Sequence, residues 1–98
     1  LNPSPFFQLE RNEDETIKMY THQGTYGVSF KEIRTYFSKL KNIPNLFIYL
    51  QSAYYDLDAS IANILIQWEN PQKEWSYSKL LISMSGKIEI MDNYKLKW

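Results

Sequence analysis

The amino-terminal region alternates apolar and polar residues with the two-residue period of a β-strand. Phe7 and Leu9 alternate with Gln8 and Glu10, and beyond a polar stretch the same period returns at Ile17 and Met19. A three-residue loop over residues 12–14 would place these apolar side chains in two facing pairs, Phe7 with Met19 and Leu9 with Ile17. The pattern therefore predicts a β-hairpin.

A helix start follows this hairpin. The segment 23–27, with two glycines, breaks the alternation, and Ser29 with Glu32 three residues later forms the capping-box pattern of a helix amino terminus. Apolar residues then recur at helical spacing, and the helix is expected to end near Asn42, before Pro44. The face predicted to be buried consists of Phe30, Ile33, Phe37 and Leu40.

Two apolar segments come next. Residues 46–50 form a continuous apolar run, which predicts a strand buried on both faces at the centre of the sheet. Residues 57–69 fit a helix or a strand, and three isoleucines favour a strand over 61–69. A short loop after this strand would place Trp68 opposite Trp75 as an aromatic cross-strand pair.

The final third of the chain has the clearest β-pattern. A three-residue loop ending at Gly86 would bring together two apolar pairs, Leu80 with Ile90 and Ile82 with Ile88. Beyond these pairs the alternation continues to Trp98, which favours one long strand bent near Asp92. A tight turn there would instead place lysines on the apolar face.

Together these elements predict an α+β fold in the order β-β-α-β-β-β-β. The sheet is expected to be predominantly antiparallel and curved, with one main helix packed on one face. Residues 1–98 are expected to form a single compact domain. Because the chain begins at Leu1, we expect a processed form or a domain excised from a longer protein.

Aromatic residues are frequent in this chain, while residues with reactive side chains are scarce. The chain has eight Tyr, five Phe and three Trp, but one histidine and no cysteine. The lack of cysteine excludes disulfides, thiolate metal sites and a cysteine nucleophile. Acid/base and nucleophilic mechanisms lean on His, Cys or paired carboxylates, so we expect a non-catalytic protein without a cofactor or a metal.

The charge balance narrows the choice of partner. Eleven basic and eleven acidic side chains cancel, which argues against duplex DNA and anionic membranes as partners. The run at 46–50 is far shorter than the roughly 20 residues that span a bilayer. We therefore expect a soluble chain, with a slight preference for the cytoplasm and the compartment otherwise undetermined.

The candidate binding surface is a tyrosine and acidic cluster. Tyrosine offers a large contact area together with a polar hydroxyl group, as protein interfaces require. Two aspartates at i and i+2 would also suit a divalent cation, but they have no third ligand nearby and are ordinary turn formers. We expect an inhibitor, an immunity-type protein or an adaptor that binds a protein partner through Tyr54, Tyr55, Asp56, Asp58, Tyr26 and His22.

Other functions stay open at this point. One alternative is a small-ligand domain with an aromatic pocket between sheet and helix, walled by Tyr20, Tyr49, Trp68 and Trp75. A third is single-stranded nucleic-acid binding through Lys79, Lys87, Lys95 and Lys97, interleaved with Tyr77, Tyr94 and Trp98. The carboxy-terminal edge strand could also form a homodimer. A catalytic role would require His22 within hydrogen-bond distance of a carboxylate such as Asp56.

Overall fold

The computed structural model describes residues 6–95. Within them the elements are β1 (Phe7–Leu9), β2 (Thr16–Thr21), β3 (Gly24–Ser29), α1 (Phe30–Lys41), β4 (Ile48–Asp56), β5 (Ile61–Glu69), β6 (Trp75–Ser83) and β7 (Ile88–Asp92). The strands form a first sheet in the order β1-β2-β3 and a second sheet in the order β4-β5-β6-β7. All neighbouring strands are antiparallel, so the predicted α+β class with antiparallel strands and one helix is confirmed.

The first hairpin has the predicted register. Phe7 lies opposite Met19, and Leu9 lies opposite Ile17. Ile17 and Met19 are completely buried, so the alternation in the sequence correctly identified the core face.

Strand β3 occupies the segment in which the two glycines were expected to break the strand pattern. It pairs along the whole of β2, from Thr21 opposite Gly24 to Thr16 opposite Ser29. Gly27 permits this pairing, because a Cβ atom there would lie 3.2 Å from Thr16 Cγ2. Glycine lowers β-propensity, but pairing with a neighbouring strand overrides it. The molecule therefore has one more strand before the helix than predicted, and its strands form two sheets.

The helix begins and ends where the sequence predicts. Ser29 is the N-cap, with its Oγ accepting a hydrogen bond from the Glu32 amide at 3.2 Å, and Asn42 is the C-cap in the left-handed conformation. Phe30, Ile33 and Phe37 are buried as expected, but Leu40 is 54% exposed. At 3.6 residues per turn Leu40 lies at the margin of the apolar stripe, about 80° from Phe30.

The loop of the first hairpin also stabilises the amino terminus of the helix. The Glu15 carbonyl accepts a hydrogen bond from the Phe30 amide at 3.0 Å. The Glu15 carboxylate binds the Arg34 guanidinium through two hydrogen bonds of 3.0 and 2.6 Å. These hydrogen bonds lower the pKa of Glu15 and raise the pKa of Arg34. The hairpin and the helix are thereby joined at both backbone and side-chain level.

The prediction for residues 46–50 was wrong in two respects. Strand β4 begins at Ile48 and lies at an edge of the second sheet, not at its centre. Ile48 is buried, whereas its neighbours Phe47 and Tyr49 are 67% and 51% exposed. The prediction counted Phe and Tyr as apolar residues that must be buried, but an aromatic ring is also stable half-exposed on an open face. The alternation of buried and exposed positions in β4 was therefore not visible in the sequence.

Strand β5 confirms the choice of strand over helix for residues 61–69. The predicted pairing of its tryptophan was wrong, because Trp68 lies opposite Ser76 and Trp75 lies opposite Glu69. A shift of one residue places a side chain on the other face of a sheet. Trp68 is accordingly in the core at 8% exposure, whereas Trp75 is 48% exposed on the outer face of the second sheet.

The carboxy-terminal hairpin matches its prediction. Leu80 pairs with Ile90 and Ile82 pairs with Ile88. Gly86 adopts a left-handed conformation with φ of 88°. Strand β7 ends at Asp92, and the left-handed Asn93 that follows forms the expected bend. Residues 93–95 belong to no strand, although the Tyr94 amide donates to the Tyr77 carbonyl at 2.9 Å, and residues 96–98 of the predicted strand lie outside the described residues.

Both sheets and the helix share one core. The buried cluster consists of Ile17, Met19, Phe30, Ile33, Phe37, Leu46, Ile48, Ala53, Ala62, Ile64, Ile66, Trp68 and Leu80.

No helix in residues 6–95 is long and apolar enough to cross a membrane.

A chain of polar contacts connects the core to the carboxy-terminal end of the helix. The Trp68 indole Nε1 donates to Ser78 Oγ at 2.9 Å, and Ser78 Oγ donates to Asp92 Oδ1 at 2.7 Å. Lys41 Nζ donates to the other oxygen of Asp92 at 2.5 Å. The same ammonium group lies 5.2 Å from the Trp68 ring centroid and 5.4 Å from that of Phe37. Helix α1 is thus linked to strands β5, β6 and β7.

These contacts set the protonation of Asp92. Partial burial alone would raise the pKa of its carboxyl group, but hydrogen bonds from Lys41 and Ser78, together with the charge of Lys41, outweigh that effect and lower the pKa. Because the Asp92 side chain is 41% exposed, solvent screens the ion pair. We therefore expect its contribution to stability to be modest.

Replacing the buried serine should destabilise the protein. Ser78→Ala leaves the Trp68 indole N–H without its acceptor in the core, so we expect the free energy of unfolding to fall by about 1–3 kcal/mol. Ser76→Ala is the matched control, because Ser76 lies on the same strand and its side chain makes no hydrogen bond within residues 6–95. Urea denaturation of both variants measures the effect. An equal loss in the two variants would contradict it.

Acid should reduce stability partly through Asp92. The pKa of Asp92 is lower in the folded state than the unfolded value of about 3.9, so its contribution is complete at neutral pH and is lost as the pH falls below about 4. The stability difference between wild type and Asp92→Asn should therefore shrink on acidification. Urea denaturation at several pH values measures this difference. Glu15 is present in both proteins, so a difference that stays constant with pH would exclude a role for Asp92.

Candidate functional site

An open groove of about 1100 Å³ separates strand β4 from the first hairpin. We call it the β4 groove. One wall consists of residues 52–57, and the other consists of Phe6, Phe7 and residues 20–22. The groove therefore lies where the edge of the second sheet meets the first sheet.

The backbone of β4 forms part of this wall. Residues 52–56 are consecutive, and successive side chains of a strand point to opposite faces. Five consecutive residues can line one groove only where the edge of the strand faces it. Strand β4 is an edge strand, and its pairing with β5 shifts register between Leu50 and Ser52 just before this segment.

Most of the residues predicted to bind a partner lie together in this groove. Tyr54, Tyr55 and Asp56 come from β4, and His22 faces them from the end of β2. Tyr54 is 48% exposed. Tyr26 does not line the groove, but its ring stacks on Tyr55 with a centroid separation of 3.8 Å and an interplanar angle of 10°. The fold thereby brings together residues from strands β3 and β4 and from the turn that follows β2.

The Asp56 side chain has a structural role in the turn between β4 and β5, whereas Asp58 contributes its backbone amide. Asp56 Oδ1 accepts hydrogen bonds from the amides of Asp58 and Ala59 at 3.0 and 3.2 Å. Asp58 itself is exposed and does not line the groove. Residues 6–95 contain no group of three or more acidic or histidine side chains suited to a metal ion. The i, i+2 spacing of the two aspartates is therefore that of a turn.

His22 is an exposed residue at the end of β2. It shares the groove with Asp56, the carboxylate proposed as its catalytic partner. The Asp56 oxygen that makes hydrogen bonds in the described structure is engaged by backbone amides, and no hydrogen bond joins Asp56 to His22 there.

The sequence did not identify the apolar part of the groove. Phe6, Phe7 and Ala53 line it together with Tyr20, whose hydroxyl donates to Gln8 Oε1 at 2.9 Å. Tyr20 was expected in a ligand pocket instead. The available signal was the correctly predicted pairing of Phe7 with Met19, which places the next residue, Tyr20, close to Phe7 on the first hairpin. No local pattern, however, shows that β4 lies opposite this hairpin.

A second cavity of about 630 Å³, the helix cleft, lies between α1, β3 and the β6–β7 hairpin. Tyr26, Tyr36 and Tyr55 line it together with apolar side chains such as Ile33 and Ile82. This is an aromatic cavity between helix and sheet, but it is not built from the predicted residues. Tyr20, Tyr49, Trp68 and Trp75 do not converge on a common cavity.

Three of the exposed aromatic rings form a separate cluster on the outer face of the second sheet. The centroid separations are 6.0 Å for Phe47 and Tyr49 and 5.7 Å for Tyr49 and Trp75.

Two residues of the predicted nucleic-acid surface lie close together, with Lys79 Nζ 5.3 Å from the Tyr94 ring centroid. Lys87, however, forms an ion pair with Glu89 at 3.6 Å. Lys97 and Trp98 lie outside the described residues.

Comparison of this chain with protein-family models, curated proteins and solved structures finds no match. The geometry of the two cavities is therefore the basis for assigning a function.

The turn role of Asp56 predicts different effects for three substitutions. Asp56→Ala removes the acceptor of two backbone amides, so we expect the free energy of unfolding to fall by about 1 kcal/mol. Asp56→Asn keeps a side-chain oxygen and should be close to wild type, as should Asp58→Ala. Thermal and urea denaturation compare the variants. A loss for Asp58→Ala equal to that for Asp56→Ala would show that the turn depends on both carboxylates.

Proposed function

We propose that this chain is a non-catalytic protein-interaction domain that binds a polypeptide partner in the β4 groove. The observation that carries the proposal is the convergence of Tyr54, Tyr55 and Asp56 from β4 with His22 from the turn after β2 onto one open groove. An inhibitor, an immunity-type protein or an adaptor would use such a surface.

The composition of the groove supports binding of a protein. Apolar side chains, including Phe6, which is 75% exposed, and the half-buried Phe7, provide surface that a partner can desolvate. Tyr54 adds a large ring that is half-exposed before binding. Tyrosine is enriched among the few residues that contribute most of the binding energy at protein interfaces.

The charge of the groove favours a partner segment with a basic side chain. Asp56 is the one carboxylate among the described residues that line the groove, and no lysine or arginine is among them. An unpaired charge buried at an interface is costly, whereas a charge of opposite sign opposite Asp56 adds specificity.

A small-molecule function is the second candidate, and the helix cleft is the observation that favours it. Its volume of about 630 Å³ lies in the range of ligand pockets, and three tyrosines line it. Tyr55 belongs to both cavities, so Tyr36 distinguishes the cleft and Tyr54 distinguishes the groove.

Site-specific photo-crosslinking tests the proposed function. A benzophenone amino acid replaces Tyr54 in one variant and Tyr49 in another, because both residues lie on β4 with similar exposures of 48% and 51%. In the native source we expect a protein adduct from position 54 and none of the same mass from position 49. Binding of the purified partner should weaken roughly 30-fold in Tyr54→Ala, the loss expected at an interface hot spot, and change little in Tyr49→Ala.

The outcomes separate the two candidates. Unchanged partner affinity in Tyr54→Ala would refute the groove as the binding site. Native mass spectrometry of the intact chain tests the cleft, where a bound small molecule should be lost in Tyr36→Ala and retained in Tyr54→Ala. Absence of any bound molecule in wild type, or its retention in Tyr36→Ala, would refute the second candidate.

A further inference from the structure

The hydrogen-bond phase of the second sheet shows which backbone groups of β4 face the groove. In antiparallel strands, successive residues direct their N–H and C=O groups alternately to one neighbour and to the other. The amide of Asn70 donates to the carbonyl of Glu74 at 2.9 Å, just beyond the paired ends of β5 and β6. Even-numbered residues of β5 therefore bond to β6, and odd-numbered residues such as Asn63 and Leu65 bond to β4.

The register between β4 and β5 shows which backbone N–H and C=O groups of β4 point towards β5. Ser52 lies opposite Leu65, and Tyr54 lies opposite Asn63, so these β4 residues direct their backbone groups towards β5. Ala53 and Tyr55, which alternate with these residues along β4, direct their N–H and C=O groups away from the sheet, towards the groove that both residues line. The hydrogen bonds formed outside the strand ladders within residues 6–95 include none to the backbone of either residue.

We infer that the β4 groove binds an extended polypeptide segment as an additional strand on the edge of β4. Two N–H groups and two C=O groups at Ala53 and Tyr55 would pair with alternate residues of the incoming segment. Ser52 to Asp56 span roughly 16 Å of strand, enough for a segment of about five residues. This inference rests on the proposed function and names its partner class and binding mode.

The occupant is a segment of another protein that carries apolar and basic side chains. Side chains on one face of the incoming strand would contact the apolar part of the groove, which includes Phe7 and Ala53. A basic side chain would pair with Asp56, the carboxylate of the groove. A second copy of this chain is less suitable, because its own β4 edge has the hairpin residues Tyr20 and His22 facing it. A free extended segment carries no such opposing wall.

Peptides selected against the intact chain test the binding mode. The probe is a library of random peptides displayed on phage, from which the tightest binder is synthesised. We expect binding to weaken in Tyr54→Ala and to be retained in Tyr49→Ala. Single N-methylation along the peptide removes one backbone donor at a time, so roughly tenfold losses should alternate with small effects, with a period of two residues.

Amide hydrogen exchange provides a readout on the protein. In the free chain the amides of Ala53 and Tyr55 should exchange faster than those of Ser52 and Tyr54, which bond to β5. Saturating peptide should slow exchange at Ala53 and Tyr55 by about tenfold or more and leave the other two nearly unchanged.

Each outcome bears on a defined claim. A period-two pattern with new protection at Ala53 and Tyr55 supports strand addition. Peptide binding that depends on Tyr54 without that pattern overturns strand addition but leaves the proposed function intact. Failure to select any peptide that depends on Tyr54 overturns the inference, and the crosslinking experiment then decides the proposed function separately. A concentration-dependent dimer that protects the same two amides would identify a second copy as the occupant and overturn the choice of partner.

Discussion

The burial of Trp68 is the constraint on which the arrangement of helix and second sheet depends. Its ring packs edge-on against Phe37 of the helix, with centroids 5.4 Å apart, and its indole N–H needs an acceptor inside the core. Ser78, completely buried on the neighbouring strand, supplies that acceptor. Its hydroxyl in turn donates a hydrogen bond to Asp92, which also accepts one from Lys41. An unsatisfied buried donor would be costly, so helix, β5, β6 and β7 hold one mutual position.

The position of the helix leaves the edge of β4 accessible. Helix α1 and the first sheet share the core with one face of the second sheet, and among residues 6–95 no strand is hydrogen-bonded to β4 on the side away from β5. The first hairpin lies opposite that edge, so the edge forms one wall of a groove instead of an open margin of the sheet. Exposed edges favour uncontrolled strand pairing, and the opposing hairpin limits access to this edge. The same arrangement explains why Tyr54 and His22, remote in sequence, line the same groove.

Much of the local structure was predictable because its causes are local. The Ser29 cap, the left-handed Gly86 and the registers of both terminal hairpins follow from residues within a few positions of each other. The failures have a common origin in residues whose preference is weak. Tyr49 and Phe47 suit either a buried or a half-exposed position, and β3 contains two glycines that form a strand only when β2 lies beside them.

The α+β class, the identity of most elements and the core face of the hairpins followed from sequence patterns, because periodicity and turn chemistry act over short distances. Composition and the adjacency of Tyr54, Tyr55, Asp56 and Asp58 also suggested the tyrosine and acidic cluster as a candidate surface. The folded structure was needed to show that the strands divide into two sheets, that β4 is an edge strand, and that Trp68 and Trp75 lie on opposite faces. These features depend on which distant strands pair and in which register, and a shift of one residue reverses every side chain without changing the local pattern.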